Sequence, residues 1–374
     1  MLTILTLKIL LMIVYLSHWD WNLYKSRKDI VSNLDEVSFK AICPEGNYSN
    51  ELRTIYQDYV NWSIDRKKTF DFKGIVNLKN ILNSLEKETI VHSFTLRTGI
   101  LYSIANLFVK NKISGVLSIN GLGYLFSDNL KAQFLKFFIT PFIKKYFNKS
   151  FQEIIFQNEN DRKIFLNFSN YSGKTSIIYG SGIKSNNYAI KESYNNQNLK
   201  VIFVSRLLID KGVNDYIQLT KNIDKENINF YLAGEIDEGN PNSITKKDLD
   251  KIKNQKNLLY IGPINVEKDL SEFDISIIMS KYEGFSRILL ESLYVGLFCI
   301  SNNIPGTEWL KEFNNGLLIE NNNLNSISEI INNFNNYDFS KLNADNNRDI
   351  IKNKYTSKII SNQYNEIYKS LASS

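Results

Sequence analysis

Cysteine and histidine are nearly missing from this chain. It has two of each, Cys43, Cys299, His18 and His92, among 374 residues. Neither pair has metal-ligand or redox spacing, so a disulfide framework, a Cys-x-x-Cys centre and a zinc site are unsupported. Nothing points to an oxidising compartment. A strong charge of one sign is lacking too. The net charge of +6 is spread thinly, with no Arg-rich cluster and no platform of aromatic and basic residues, which excludes nucleic acid as a partner. The single Asp-x-Asp, Asp248-Leu249-Asp250, lies in a Lys-rich helical stretch and reads as a solvated face, so no metal site is expected. No repeat of solenoid period occurs. Long apolar runs are scarce. The stretch 2–16 is interrupted by Thr3, Thr6 and Lys8 and falls short of the roughly 20 residues that span a bilayer. It also has no small-residue cleavage site. From Lys8 onward it reads as the first buried strand of a parallel sheet, with 1–7 a short extension; a membrane anchor is the other reading.

What is present is a large apolar complement. With 43% hydrophobic and 13% aromatic residues the chain can build the cores of two ordinary domains. Strand and helix signals alternate throughout, which predicts an α/β fold with parallel sheets. In the first half, strands are expected over 9–16, 37–42, 60–64, 89–93, 115–119, 153–157 and 176–179. The polar stretch 186–198 reads as a linker. A second series follows, with strands over 201–204, 229–233, 258–261, 275–279 and 298–301. The Asn-rich 314–336 is expected to hold turns and a short helix. A last amphipathic helix covers 360–370. The predicted division is a domain over 1–185, the linker, a domain over 199–355, and a C-terminal segment 356–374 that can pack back on the first domain. Ligands in such sheets sit at the carboxyl ends of strands.

The densest chemistry lies between Ser280 and Leu310. Glu283 stands in a loop beside the permissive Gly284. Ser286 is a candidate helix cap. An apolar helical run follows, carrying Glu291 in its second turn and ending at Gly296, and a strand comes next. A helix N-terminus with free N–H groups suits a phosphate, and the two acids are then placed to accept hydroxyl protons on either side of it. Phe285, Gly296 and Pro305-Gly306-Thr307 fall in register with the acids. Earlier, Val201 to Val213 reads as a buried strand ending at Ser205, then Arg206, then Lys211-Gly212 at the next helix. Arg206 offers a bidentate fork and Lys211 a compact point charge for a diphosphate. Such cations stabilise charge developing on a leaving phosphate.

Both segments resemble the donor-binding signatures of the family 4 retaining glycosyltransferases with the GT-B fold, in which two doubly wound Rossmann-like domains face a central cleft. That resemblance covers nearly the whole chain. It implies that Glu283 contacts hydroxyls of the transferred sugar and Glu291 the ribose, and that Phe285 and Ser286 present backbone N–H groups. Gly284, Arg287 and Ile288 complete the same loop-to-helix turn, while Arg206 and Lys211 grip the diphosphate. Gly234, closing Tyr231-Leu-Ala-Gly-Glu235, resembles the next donor-side loop. Ile261 and Gly262, in Leu259-Tyr-Ile-Gly-Pro263, resemble the loop that meets the base. Family members transfer with retention and need no metal or other cofactor; the sugar nucleotide is the substrate.

The first half narrows the resemblance. His18-Trp19-Asp20-Trp21-Asn22 with Arg27 stands where many members have a glycine-rich loop. His92-Ser-Phe-Thr-Leu-Arg97, Asn120-Gly-Leu-Gly-Tyr-Leu-Phe126, Phe156 to Arg162 and Gly180-Ser-Gly-Ile183 follow later. Together they look like bacterial transferases that extend lipid-linked oligosaccharides, in lipopolysaccharide or capsule synthesis, from UDP-hexoses or UDP-N-acetylhexosamines. Many members carry a histidine where this chain has Asn120. Asn120 cannot act as a base, and in a front-face retaining reaction the leaving phosphate itself can take the proton. His92 is then the candidate active-site histidine, with a packed polar residue as the alternative. The basic, aromatic stretch 131–151 either lies on an anionic membrane surface or packs its phenylalanines into the first domain, and Pro141 is expected to kink or split its helix. The implied enzyme is a cytoplasmic, peripherally membrane-bound hexosyl- or N-acetylhexosaminyltransferase with a UDP-sugar donor and a lipid-linked or polysaccharide acceptor. A UDP-sugar epimerase of the same layout and a non-catalytic partner of another transferase are the competing readings.

Overall fold

The computed structural model describes residues 11–68, 70–111, 113–126, 130–193, 198–223, 225–238, 240, 242–334 and 344–373. The chain divides into two units, residues 1–181 with 357–374, and residues 182–356.

The first unit runs β1 (Leu11–Leu16), α1 (Asp20–Val31), β2 (Val37–Cys43), α2 (Ser49–Ile55), β3 (Asp58–Asn61), α3 (Phe72–Asn83), β4 (Ile90–Phe94), α4 (Leu96–Asn106), β5 (Ser114–Ile119), α5 (Leu130–Ser150), β6 (Glu153–Phe156), α6 (Glu159–Ser169) and β7 (Lys174–Ile177). Its strands form one parallel sheet in the order β3-β2-β1-β4-β5-β6-β7. Side chains of β1 alternate between two cores. Val14 and Leu16 enter one, and Ile13 and Tyr15 enter the other. Apolar residues at every position are what a strand covered on both faces requires.

The second unit runs β8 (Leu199–Val204), α7 (Val213–Lys221), β9 (Ile228–Ala233), α8 (Lys246–Lys253), β10 (Leu258–Gly262), the single turn α9 (Val266–Asp269), β11 (Ile275–Ile278), α10 (Arg287–Val295), β12 (Phe298–Asn302), β13 (Gly316–Ile319), α11 (Leu324–Asn332) and α12 (Ala344–Lys354). Its parallel sheet has the order β10-β9-β8-β11-β12-β13. The last helix, α13 (Ser357–Ala372), returns to the first unit, where Ile360, Tyr364, Ile367 and Tyr368 enter the core of Ile13 and Tyr15. Their spacing is that of one helix face.

Several expectations need correction. The segment 186–198, expected as a linker, is tied to the second unit through its described part. Ala189 N–H donates to Glu267 O at 2.8 Å and Lys191 N–H to Val295 O at 2.9 Å. Lys191 Nζ also lies 2.8 Å from Asp274 Oδ1 in a buried ion pair. The Asn-rich 314–336 contains an unforeseen strand, β13, which pairs with β12. Its short sequence, Gly-Leu-Leu-Ile, hides among asparagines. Pro141 does not split α5, which continues from Leu130 to Ser150. The expected strand over 9–16 is present over its described part, Leu11–Leu16, and residues 1–10, with most of the anchor reading, lie outside the described residues. Among the described residues no helix is long and apolar enough to cross a membrane.

The phenylalanines of the 131–151 stretch divide between core and surface. Phe147 is fully buried, whereas Phe134, Phe137 and Phe138 are 68%, 73% and 60% exposed. Lys144, Lys145 and Lys149 on the same helix are exposed.

Candidate active site

In each sheet the strand order reverses at one point, between β1 and β4 in the first unit and between β8 and β11 in the second. There the loops leaving neighbouring strands diverge to opposite faces and open a crevice at the carboxyl edge. In the second unit those two loops carry Arg206, Lys211 and Glu283.

After β8 the chain makes one tight turn, Ile209–Lys211, and passes through Gly212 into α7. Gly212 holds φ +85°, and a Cβ there would sit 2.4 Å from Met279 O. The glycine is therefore required twice, by its left-handed backbone and by the close approach of the strand-end β11 loop. Lys281 N–H donates to Asp210 O at 2.9 Å and joins the two loops. The result is a direct contact between residues 72 positions apart, with Lys211 Nζ 2.6 Å from Glu283 Oε1. Ser280 Oγ donates to the same oxygen at 2.8 Å. Glu283 and Lys211 keep 15% and 22% of their side-chain surface exposed, so both face the crevice.

The 280–310 segment is closed by its own backbone. Ser286 N–H donates to Gly306 O at 3.2 Å. A Cβ on Gly306 would come within 2.2 Å of Glu283 O, which explains why Pro-Gly-Thr follows in register with the acids. Phe285 is a buried anchor, with its ring stacked on Trp309 at 4.7 Å and near Tyr355 at 5.5 Å. Ser286 precedes α10, yet among the described residues its buried hydroxyl caps no backbone N–H and has no partner. This corrects two expectations. Ser286 is not a side-chain cap, and its backbone N–H is taken by Gly306 O rather than offered to a ligand. The N–H groups of Ile288 and Leu289 belong to the first helical turn, where no intrahelical acceptor exists. An unpartnered buried hydroxyl (2% exposed) at the start of a helix is the local arrangement that receives an anion.

Glu291 lies one turn further along and is buried. Its Oε1 accepts from Tyr188 Oη at 2.9 Å and from Arg287 Nε at 2.9 Å. Burial first, and the Glu291 carboxylate second, push the Tyr188 hydroxyl well above its usual range, so it stays a donor. Tyr188 comes from the supposed linker and could not be foreseen as a neighbour of Glu291. Asp237 was also missed. Its Oδ2 accepts from Arg206 Nη1 at 2.9 Å. The only sequence signal was its place two residues beyond Gly234-Glu235, in a loop that returns to β8. Gly234 N–H donates to Gly262 O at 2.9 Å, which brings the two further glycine loops together. Ile261 packs against the core beneath them. Asp248 of the lone Asp-x-Asp closes a capping box with Thr245 at the start of α8.

The first unit places its residues differently. His92 was expected at a strand end. It lies mid-strand, because β4 continues to Phe94, and it is 0% exposed. Its Nδ1 is 2.7 Å from Tyr368 Oη and its Nε2 2.7 Å from Ser118 Oγ. Burial, and then the charge of Arg27, hold its pKa well below the usual histidine value. Both ring nitrogens are engaged inside the core, so His92 is a packed neutral residue and not an active-site base. The histidine at the reversal point is His18, two residues after β1. Its Nδ1 is 2.9 Å from Thr98 Oγ1 and 3.3 Å from Thr95 Oγ1. Thr95 itself has φ +79° and ψ 148°, a conformation that costs a non-glycine residue about 1–3 kcal/mol. Asn120, at the end of β5, is half-buried. Both cysteines are buried and free, and burial pushes the Cys43 thiol up to about 12, which removes it from nucleophilic chemistry.

Residues 185–356 match the family model for glycosyl transferases group 1. The match spans the second unit almost from end to end. The capsular polysaccharide biosynthesis glycosyltransferase CapM of Staphylococcus aureus is 23% identical over 318 residues, 80% of this chain and 80% of that one. Among solved structures, Anabaena HepE in complex with UDP and glucose is similar with a TM-score of 0.74 at 16% identity, over 96% of this chain and 99% of that chain. Sucrose-phosphate synthase from Thermosynechococcus elongatus is similar with a TM-score of 0.77 at 13% identity, over 97% and 100%. The two parallel-sheet, Rossmann-like units are thus those of the GT-B fold, and residues 185–356, the part similar to glycosyl transferases group 1, make up nearly all of its second unit.

Proposed function

We propose that this protein is a metal-independent, retaining glycosyltransferase of family 4 that moves a hexose or N-acetylhexosamine from a UDP-sugar to a lipid-linked or polysaccharide acceptor. The observation that carries the reading is the Lys211–Glu283–Ser280 cluster at the reversal point of the second sheet, beside a helix preceded by the buried Ser286 hydroxyl, which has no partner among the described residues. The likeness to CapM and to HepE with its UDP supports the donor and the kind of glycan.

Each residue has a role that follows from its chemistry. Lys211 spends one of its three N–H donors on Glu283 and has two left for the diphosphate. Arg206, half-exposed and held at one nitrogen by Asp237, adds a second cation. Ser286 Oγ and the first turn of α10 complete the anion site. Glu283, fixed by Lys211 and Ser280, accepts from a hydroxyl of the sugar. Glu291 keeps Oε1 on Tyr188 and Arg287 and turns Oε2 to the ribose. In the transfer, the bond from the anomeric carbon to the phosphate oxygen breaks and the acceptor oxygen bonds to that carbon on the same face. The acceptor's proton passes to the departing phosphate oxygen. The two cations stabilise the charge that develops there, the function a metal ion serves in other enzymes. The exposed Phe134, Phe137 and Phe138 with Lys144, Lys145 and Lys149 suit contact with an anionic membrane face, where a lipid-linked acceptor resides.

Thermal stabilisation by UDP, GDP and ADP and their common sugar conjugates, in EDTA, tests this. A shift with one UDP-sugar, followed by transfer in EDTA with the α-linkage kept, supports it. A GDP preference overturns the donor, a requirement for added metal overturns the metal-independent chemistry, and UDP binding without turnover makes the chain a non-catalytic partner.

A further inference from the structure

Arg27, on α1, is 1% exposed, and no carboxylate pairs with it among the described residues. A buried cation without a counter-charge is costly, and its remaining contacts show what it is held for. Nη1 donates to Tyr364 Oη at 3.1 Å, and the guanidinium carbon lies 4.3 Å from the Phe94 ring centroid. Nη2 donates to Asn120 Oδ1 at 3.0 Å. Gln157 Nε2, from the end of β6, donates to the same oxygen at 3.4 Å.

These contacts determine the orientation of the Asn120 amide. Two N–H donors converge on one of its ends, so that end must be the oxygen; a flip would set NH2 against a guanidinium. Nδ2 therefore points away from Arg27. It donates to no described residue and belongs to a half-buried side chain at a strand's carboxyl edge. We propose that Arg27 is a positioning residue that locks the Asn120 amide, making Nδ2 a fixed hydrogen-bond donor to a sugar hydroxyl. The proposal rests on the glycosyltransferase reading. It also explains how a neutral asparagine can serve here. The charge behind Oδ1 polarises the amide and strengthens its outward N–H.

The test is Asn120→Asp. The carboxylate supplies the ion pair Arg27 lacks and removes the outward N–H, so the hydroxyl keeps a contact only by turning its own proton inward and giving up the bond that proton makes elsewhere. Melting temperature should rise, while kcat/KM for UDP release falls by about tenfold or more. A purely structural asparagine predicts the rise without the fall. The substrates are UDP-glucose, UDP-galactose and their N-acetylamino counterparts, with hydrolysis to water as the readout. A raised KM for the sugar nucleotide assigns the hydroxyl to the donor. An unchanged KM with slower transfer to a polyprenyl-diphosphate-linked hexosamine assigns it to the acceptor. Arg27→Gln should lower kcat/KM in the wild-type background and cost nothing further in Asn120→Ala, because it acts through Asn120. Wild-type kinetics in Asn120→Asp, a lower melting temperature there, or equal losses from Arg27→Gln in both backgrounds overturns the proposal while leaving the enzyme assignment intact. A wild type that releases UDP from none of the four overturns the enzyme assignment and this proposal with it.

Discussion

The two units have like sheets but treat their polar residues in opposite ways. In the second, Arg206, Lys211 and Glu283 stand at the reversal point, partly exposed and paired with one another or with Asp237. In the first, Arg27 and His92 are folded into the core beneath α13, where Tyr364 and Tyr368 receive them. The difference is one of place: Arg206, Lys211 and Glu283 lie in loops beyond strand ends, whereas His92 sits inside β4 and Arg27 inside α1, both against α13. The comparison puts the charged groups of the second unit at its crevice and those of the first in its core, where Arg27 acts only through Asn120, and the predictions test that division.

The largest effect is expected at Lys211. Lys211→Ala should lower kcat/KM for UDP-sugar by about 10²–10³-fold with the fold intact, as loss of one stabilising donor does elsewhere. Circular dichroism and initial rates check both halves of that statement. Gly306→Ala comes next, since its Cβ would press on the Glu283 backbone. We expect a loss of about 1–3 kcal/mol in stability and, because Glu283 is displaced, a fall in activity larger than that of a control alanine elsewhere on the surface. Glu291→Gln should weaken UDP binding by about 1.5–3 kcal/mol, read by calorimetry, since a charge-assisted bond to the ribose is lost. UDP affinity equal to the wild type would move the ribose elsewhere.

The smallest effect belongs to His92 and has a defined sign. Its pKa is depressed in the folded chain, so below about pH 6.5 the unfolded chain binds a proton that the folded chain refuses. The stability contributed by neutral His92 is complete above that pH and is lost as pH falls, by at most about 1.4 kcal/mol per pH unit. His92→Asn should flatten this acid-side slope and leave kcat at neutral pH near that of the wild type. A collapse of kcat with unchanged stability would return His92 to the chemistry and erase the contrast between the units.

Much of this was legible in the chain, for reasons that residues make plain. Glu283, Glu291, Gly296 and the Pro-Gly-Thr run lie within one loop-helix-strand passage, so local spacing placed them. Lys211 and Arg206 follow a strand whose apolar run is unmistakable. What escaped were contacts made at long range. Tyr188 reaches Glu291 across 103 positions and Tyr368 reaches His92 across 276; no periodicity reports such pairs. His92 was misplaced because the expected strand stopped at Ser93, one residue short of the buried Phe94 that ends β4. The strand β13 was lost among asparagines that signal turns. Ser286 looked like a cap because caps are usually serines, while its unsatisfied hydroxyl is visible only once its burial is known.

The central claim is that the Lys211–Glu283 pair serves a sugar nucleotide. The most direct measurement compares UDP binding and UDP-sugar turnover in Glu283→Gln against the wild type, in EDTA. The account predicts UDP affinity close to that of the wild type with turnover reduced at least about a hundredfold, because Glu283 touches the sugar and not the nucleotide. Turnover close to that of the wild type would contradict it.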